Sequence, residues 1–262
     1  MLGFVGVGNM ARAILSGVLK SGKVTLSDVG LYDANAAQYT LFPVARTYHG
    51  VRDLVEREEV IFFAVKPQVL PVVLGELEGV DVTGKLFVSI CAAVATSYIQ
   101  KALPNARVIR AMPNTPMLYG KGVCALSRSE NVTDVEFEKV YDLFSALGTV
   151  AVIEEKMQNA VIAVTGSSPA YLFGLADAMA VAAQESGFSY EESVLWIADV
   201  FEGAATMLRE SNMSPKELCE MVCSPGGTTL EAMRVFRDAG VADTVKAAMA
   251  ACTDRAQVLQ KD

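Results

Sequence analysis

The sequence predicts an α/β domain on a mostly parallel sheet, followed by an all-α domain. Three observations carry that prediction. Strand-like apolar runs alternate with helix-like segments up to about Glu155, and beyond it the strand signals stop. The later segments open on helix caps: Ser189 with Glu192, Ser214 with Glu217 and Thr228 with Glu231 each fit the S/T-x-x-E capping box. The expected domains are therefore residues 1–155 and 156–262.

Taken in order, "LGFV" (Leu2–Val5) reads as a buried strand, followed by glycines and a helix from Asn9 to Lys20. Further strands are expected at Val29–Asp33, Val60–Val65, Leu86–Ala92 and Ala106–Pro113, with Gly122–Ser127 and Gly148–Ile153 after them. In the second part, Ser168-Pro169 resembles an N-cap followed by proline at the first helical position, and Gly187 closes that helix. The last helix is expected from about Asp243, with Val245, Ala248, Met249, Cys252, Ala256 and Leu259 at helical spacing. An apolar helical part of roughly one hundred residues tends to pair with a second copy to cover its faces.

Composition narrows the function classes. The chain has 262 residues, of which 52% are hydrophobic, yet no uninterrupted apolar run reaches membrane-span length. In "MLGFVGVGNMA" no basic leader precedes the apolar residues, so a soluble cytoplasmic protein with no membrane partner is expected. The net charge of −8 argues against nonspecific nucleic-acid binding, and any anionic ligand must be held by local donors. The five cysteines include no C-x-x-C pair, and Cys219 and Cys223, one turn apart, have no cluster of histidines to complete a zinc site. His49 is the single histidine, so histidine-based triads are not expected and no metal is.

Three stretches carry chemistry. "FVGVGNMA" places Gly6-x-Gly8-x-x-Ala11 directly after a strand and at the start of a helix. The first glycine permits the tight turn, the second lets backbone approach a pyrophosphate, and Ala11 permits close packing. Gly6, Val7, Gly8, Asn9, Met10 and Ala11 are thus candidates for cofactor binding. Asp33 ends the second strand, where an acid accepts from the adenosine ribose hydroxyls of NAD; equally, it could cap the next turn at Asn35. Arg46 and Arg52 could reach a 2′-phosphate, so both NADH and NADPH remain open. "AVKPQ" ends the third strand at the edge where a dinucleotide lies in doubly wound folds, although alone it reads as a strand terminator.

The third stretch is "CSPGGTTLEAM", where Pro225 and two glycines break one helix and another starts at Thr228. Free amides from Gly227 to Thr229 at a positive helix end would cradle a small carboxylate. From this segment alone, a helix corner with no ligand is as good a reading. Ser167 and Ser168 either line a pocket or simply open a helix, and in "RAMPNTP" Asn114 is the polar residue of a strand end and stiff turn.

Together, "FVGVGNMA", "AVKPQ", "SICAAV", "IRAMPNTP", "VTGSSPAYLF" and "CSPGGTT", in that order along nearly the whole chain, resemble the pyrroline-5-carboxylate reductase family. The resemblance implies an N-terminal Rossmann-type domain and a helical C-terminal dimerisation domain. It also implies reduction of Δ1-pyrroline-5-carboxylate to L-proline with NADPH or NADH. It places cofactor on Gly6–Ala11, on Ala64, Val65, Lys66 and Pro67, and on Cys91 and Ala92, and the stiff turn that carries Asn114 is then expected to face the nicotinamide. It places substrate on Ser224, Gly227, Thr228 and Thr229, with Glu155 close to the pocket. Thr229 becomes the candidate catalytic residue, bonded to the ring nitrogen. A homodimer through the helical domain is implied, and an assembly of such dimers is left open.

Three departures stand out. Ala93 replaces the usual glycine of that segment and crowds the strand end, Asn35–Gly50 is short for a crossover helix, and "HGVRD" (His49–Asp53) lacks an asparagine the family often has. The alternatives are a two-domain dehydrogenase or imine reductase acting on another cyclic imine or hydroxy acid, and a regulator that senses dinucleotide without turnover.

Overall fold

Leu2–Val5 is buried throughout and forms β1, and the chain passes through Gly6 into α1 (Asn9–Lys20) in the computed structural model, which describes residues 1–261. Then come β2 (Val29–Tyr32), a two-residue β3 (Arg46–Thr47), α2 (Val51–Arg57), β4 (Val60–Phe63), α3 (Leu70–Glu76) and β5 (Leu86–Ser89). The alternation continues with α4 (Thr96–Ala102), β6 (Arg107–Met112), β7 (Gly122–Arg128), α5 (Asp134–Ser145) and β8 (Gly148–Val152). These strands make one eight-stranded sheet in the order β3-β2-β1-β4-β5-β6-β7-β8. Every neighbouring pair is parallel except β6 with β7.

Successive strand residues point to opposite faces, so adjacent aromatics feed two different cores. On one face Phe4 stacks on Phe62 with centroids 4.4 Å apart, beneath Ile14, Leu15 and Val18 of α1. On the other, Phe63 stacks on Phe87 at 5.2 Å, beneath Leu54 of α2, Leu70 of α3 and Ile99 of α4. Helices on both faces of a parallel sheet explain why these strands read as continuous apolar runs. One buried charge interrupts the second core. Glu58 is fully buried and accepts from Arg46 at 2.8 Å and from the Tyr48 hydroxyl at 2.6 Å. Its Oε1 lies where a side chain at residue 30 would go, which is why β2 carries Gly30 there.

By packing, the chain divides into Met1–Pro169 with the residues from Ala251 on, and a helical unit of Ala170–Ala250. The expected division at 155/156 follows the change of element type instead. The helices are α6 (Gln158–Val161), α7 (Ser168–Glu185), α8 (Tyr190–Glu210), α9 (Pro215–Val222), α10 (Thr228–Asp238) and α11 (Val241–Leu259). Among the described residues of 170–250, only Ala180, Ser193, Ile197 and Leu218 are buried. Leu172, Phe173, Leu195, Trp196, Val200 and Phe236 are all exposed.

Three local expectations differ from what forms. Ser168 is no N-cap: α6 runs through a π-helical turn at Ile162–Gly166 towards α7, and the Ser168 hydroxyl donates back to the Val164 carbonyl at 2.7 Å. Thr228 is not a cap either, because Gly227 occupies that position and Thr228 is already helical. The strand β3 was not foreseen, since two residues carry no alternation that could announce it. The short stretch before it holds one 3-10 turn, Ala36–Leu41, in place of a crossover helix.

Candidate active site

The parallel register sets four strand ends in a row. Val5 pairs with Tyr32 and with Phe63, and Phe63 pairs with Ser89, so Asp33, Gly6, Ala64 and Ile90 follow one another along one edge. Backbone bonds continue the ladder there: Gly6 N–H to the Tyr32 carbonyl at 2.8 Å, and Ala64 N–H to that of Val5 at 2.9 Å. The crossovers reverse between β1 and β4, and such a switch point opens the crevice where doubly wound sheets bind ligands.

Gly6 adopts φ +94°, and a Cβ on it would meet the Ala64 carbonyl oxygen at 2.7 Å, so glycine alone fits this turn. A Cβ on Gly8 would meet nothing within 4 Å. Gly8 is also the N-cap of α1, and no side chain caps that first turn. The open first turn over Asn9, Met10 and buried Ala11 fits a dinucleotide pyrophosphate, which takes free amides and a positive helix end.

Asp33 is fixed beside this turn. Its carboxylate accepts from Val7 N–H at 2.8 Å and from Asn35 N–H at 2.9 Å, so it both braces the glycine loop and shapes the following turn. The Tyr39 hydroxyl lies 2.6 Å from its amide and 2.7 Å from its carbonyl. Sequence gave no hint of two further braces: Arg12 donates to the Val7 carbonyl at 3.0 Å and also bonds Gln38.

Across the switch point, Ala64 and Val65 are partly buried, Lys66 is exposed, and Pro67 has its carbonyl held by Lys261 Nζ at 3.0 Å. Cys91 is buried behind this segment, its thiol donating to the Val65 carbonyl at 3.3 Å, and burial pushes its pKa up to about 11. A buried thiol so raised is a poor nucleophile. Pro67, Ala92, Ile162, Cys252, Ala256 and Leu259 line part of an apolar cleft of about 330 Å³. Ala93 departs from the expected crowding in an informative way: its φ is +56°, a left-handed conformation that disfavours any side chain by about 1–2 kcal/mol. Main-chain bonds to Lys261 on both sides of Val94, Lys261 N–H to the Ala93 carbonyl and Ala95 N–H to the Lys261 carbonyl, each 2.9 Å, hold the chain just after Ala93.

Two predicted site residues have structural employment. Asn114 is buried, with its amide donating to the Thr165 carbonyl at 2.9 Å and accepting from Val123 N–H at 2.8 Å. Glu155 takes both donors of Thr96, the amide at 2.7 Å and the hydroxyl at 2.6 Å, and so caps α4. Ser167 contacts the Cys252 thiol at 3.3 Å.

In the helical unit, Gly227 N–H bonds the Ser224 carbonyl at 2.9 Å across Pro225 and Gly226, whose φ is +71°. Proline followed by a positive-φ glycine is a type II turn. A Cβ on Gly227 would meet Ser224 Oγ at 2.6 Å and the Ser224 carbonyl oxygen at 3.0 Å, so any side chain there crowds the turn and displaces the serine hydroxyl. No side chain caps α10, and Thr228 is exposed beside the partly exposed Thr229. The result is a helix start with unclaimed amides and two hydroxyls. Among the described residues, no group of three or more His, Cys, Asp or Glu could hold a metal ion.

Known proteins resemble this chain along its length. Residues 155–259 match the family model described as pyrroline-5-carboxylate reductase dimerisation, and residues 1–93 match NADP oxidoreductase coenzyme F420-dependent. The chain is 37% identical to the pyrroline-5-carboxylate reductase of Escherichia coli strain K12 over 99% of this chain and 98% of the relative. A solved pyrroline-5-carboxylate reductase from Coxiella burnetii aligns with TM-score 0.90 and 30% identity, covering 100% of this chain and 98% of the other. A Plasmodium falciparum pyrroline carboxylate reductase with NADP bound shares the fold at TM-score 0.93 and 24% identity, covering 99% and 98%. With glycine loop, strand-edge segment and Pro-Gly-Gly turn all in place, the chain belongs to the pyrroline-5-carboxylate reductase family.

Proposed function

We propose that this protein reduces the C=N bond of Δ1-pyrroline-5-carboxylate to give L-proline, the last step of proline synthesis, using NADH or NADPH. The carrying observation is the uncapped start of α10 behind the type II turn, a carboxylate-sized set of free donors in a protein of net charge −8. Gly6 to Ala11 hold the pyrophosphate, Asp33 the adenosine ribose, and Ala64, Val65, Lys66 and Pro67 with Cys91 and Ala92 form the edge along which the cofactor runs. When bound, the nicotinamide supplies the hydride. The amides of Thr228 and Thr229, opened by Gly227 at the N-cap, grip the substrate carboxylate, and the Ser224 hydroxyl adds a bond; the Gly227 N–H is spent on the Ser224 carbonyl within the turn. Thr229 holds the ring nitrogen through its hydroxyl, which orients the imine and passes a proton from water to that nitrogen. Delivering hydride to an iminium carbon depends on orientation more than on a strong side-chain acid, which suits a site without histidine.

The exposed apolar residues of α7 and α8 support a homodimer formed through the helical unit. The five cysteines are all free, as in the reducing cytoplasm where we place the enzyme. No helix among the described residues is long and apolar enough to cross a membrane.

Nicotinamide absorbance followed with purified protein and pyrroline-5-carboxylate tests the reaction directly. Thr229→Ala is expected to lower kcat/KM by about 10²-fold, the loss typical of one positioned group at a reacting centre. Unchanged turnover would remove Thr229 from the mechanism.

A further inference from the structure

We propose that Asp33 makes this enzyme select NADH over NADPH, by accepting the adenosine ribose hydroxyls and repelling a 2′-phosphate. The proposal rests on the dinucleotide reading of the glycine loop given above. Its first support is the rigidity of the carboxylate. Val7 N–H and Asn35 N–H hold its two oxygens at 2.8 and 2.9 Å, and the Tyr39 hydroxyl bonds the Asp33 backbone. It cannot swing aside to admit a second anion. Each oxygen still has a lone pair to offer a ribose hydroxyl.

The second support is the state of the nearby cations. The segment Ala34–Ala45, "ANAAQYTLFPVA", which follows β2 and borders the ribose position, contains no lysine, arginine or histidine. Of the two arginines that the sequence offered for a phosphate, Arg46 is bound to buried Glu58 and to the Ser27 carbonyl, which precedes β2 at the far end of the strand. Arg52 donates to the Glu78 carbonyl at 2.9 Å. That leaves Arg12, whose guanidinium donates to the Val7 carbonyl and to Gln38 and so ties the glycine loop to the 3-10 turn. A phosphate carries about two negative charges at neutral pH. Beside Asp33 it would meet like charge, with one cation nearby that is already engaged.

Calorimetric titration of the full-length protein with ADP-ribose and with 2′-phospho-ADP-ribose reads this without turnover. Wild type is expected to bind ADP-ribose at least about thirtyfold more tightly, as a like-charge clash requires. Asp33→Asn keeps the shape and removes the charge, and should narrow that ratio about tenfold or more. Arg12→Gln should leave the ratio unchanged. Equal or tighter binding of the phosphorylated ligand by wild type overturns the proposal, as does an Asp33→Asn ratio equal to that of wild type. Selective loss of the phosphorylated ligand in Arg12→Gln does so too, because Arg12 would then be a phosphate receptor. Should wild type bind neither ligand, the dinucleotide reading itself falls; binding of both without the expected ratio removes only the selectivity.

Discussion

Glu155 is an acid in a segment that the family resemblance sets near substrate, yet both of its oxygens are occupied by Thr96, and Arg110 lies 3.8 Å from one of them. A carboxylate at the start of a helix interacts with free N–H groups and the positive helix end together. Glu155→Gln keeps the shape and loses the charge, and is expected to lower stability by about 1–2 kcal/mol while leaving turnover unchanged. Urea unfolding in parallel with kinetics checks it; a collapse of kcat at full stability would return Glu155 to the site. Asn114 likewise has a structural task, its amide serving two backbone groups of separate segments. Asp33 is the opposite case, where bracing the glycine loop and facing a ribose are compatible.

At the scale of elements, the capping boxes at Thr133–Glu136 of α5 and Ser214–Glu217 of α9 are both formed. Burial pushes the Glu136 carboxyl up, but bonds from the Thr133 amide and hydroxyl and the nearby Arg107 outweigh it and hold the group below the usual glutamate range. Hydrogen bonds from Ser214 lower Glu217 as well. A group whose pKa is lower in the folded state stabilises the fold above its ordinary pKa, and that contribution is lost as pH falls through the lowered value. Acidification from about pH 5 to pH 3 should therefore destabilise wild type, and Glu136→Gln should flatten the slope. Urea midpoints across that range measure it, and parallel slopes for the two proteins would show that Glu136 contributes nothing. The Ser214 cap was legible because its signal lies three residues apart, whereas the Thr133 box was not read in advance and the same spacing at Thr228 yields no cap. The continuation of α6 towards α7 was not legible either, because Ser-Pro is also a normal helix start.

For the whole molecule, the main feature is what the helical unit leaves uncovered. A soluble monomer does not leave Leu172, Phe173, Leu195, Trp196 and Val200 in water together. We propose that a second copy covers those side chains. Phe173→Glu places a charge on that face and is expected to shift sedimentation from dimer towards monomer at micromolar concentration, with loss of activity. An unchanged dimer would move the interface off α7. The order of elements, all of the longer strands and the glycine loop could be read in advance, because periodicity and turn chemistry are local. The partners of Glu155, Asn114, Arg12 and Pro67 could not.

The sequence by itself determined the α/β-then-α order, the Gly6–Ala11 turn, the Pro-Gly-Gly break and the acidic charge that makes backbone amides the natural anion holders. Each depends on residues within a few positions of one another, whose backbone preferences act before any packing. Only the tertiary structure decided that Glu155 caps a helix 59 residues away, that Lys261 holds Pro67 across 194 residues, and that Arg46 is consumed by Glu58. Such pairings depend on which strand ends the sheet order brings side by side, and a hydrogen bond reaches about 3 Å however long the intervening chain.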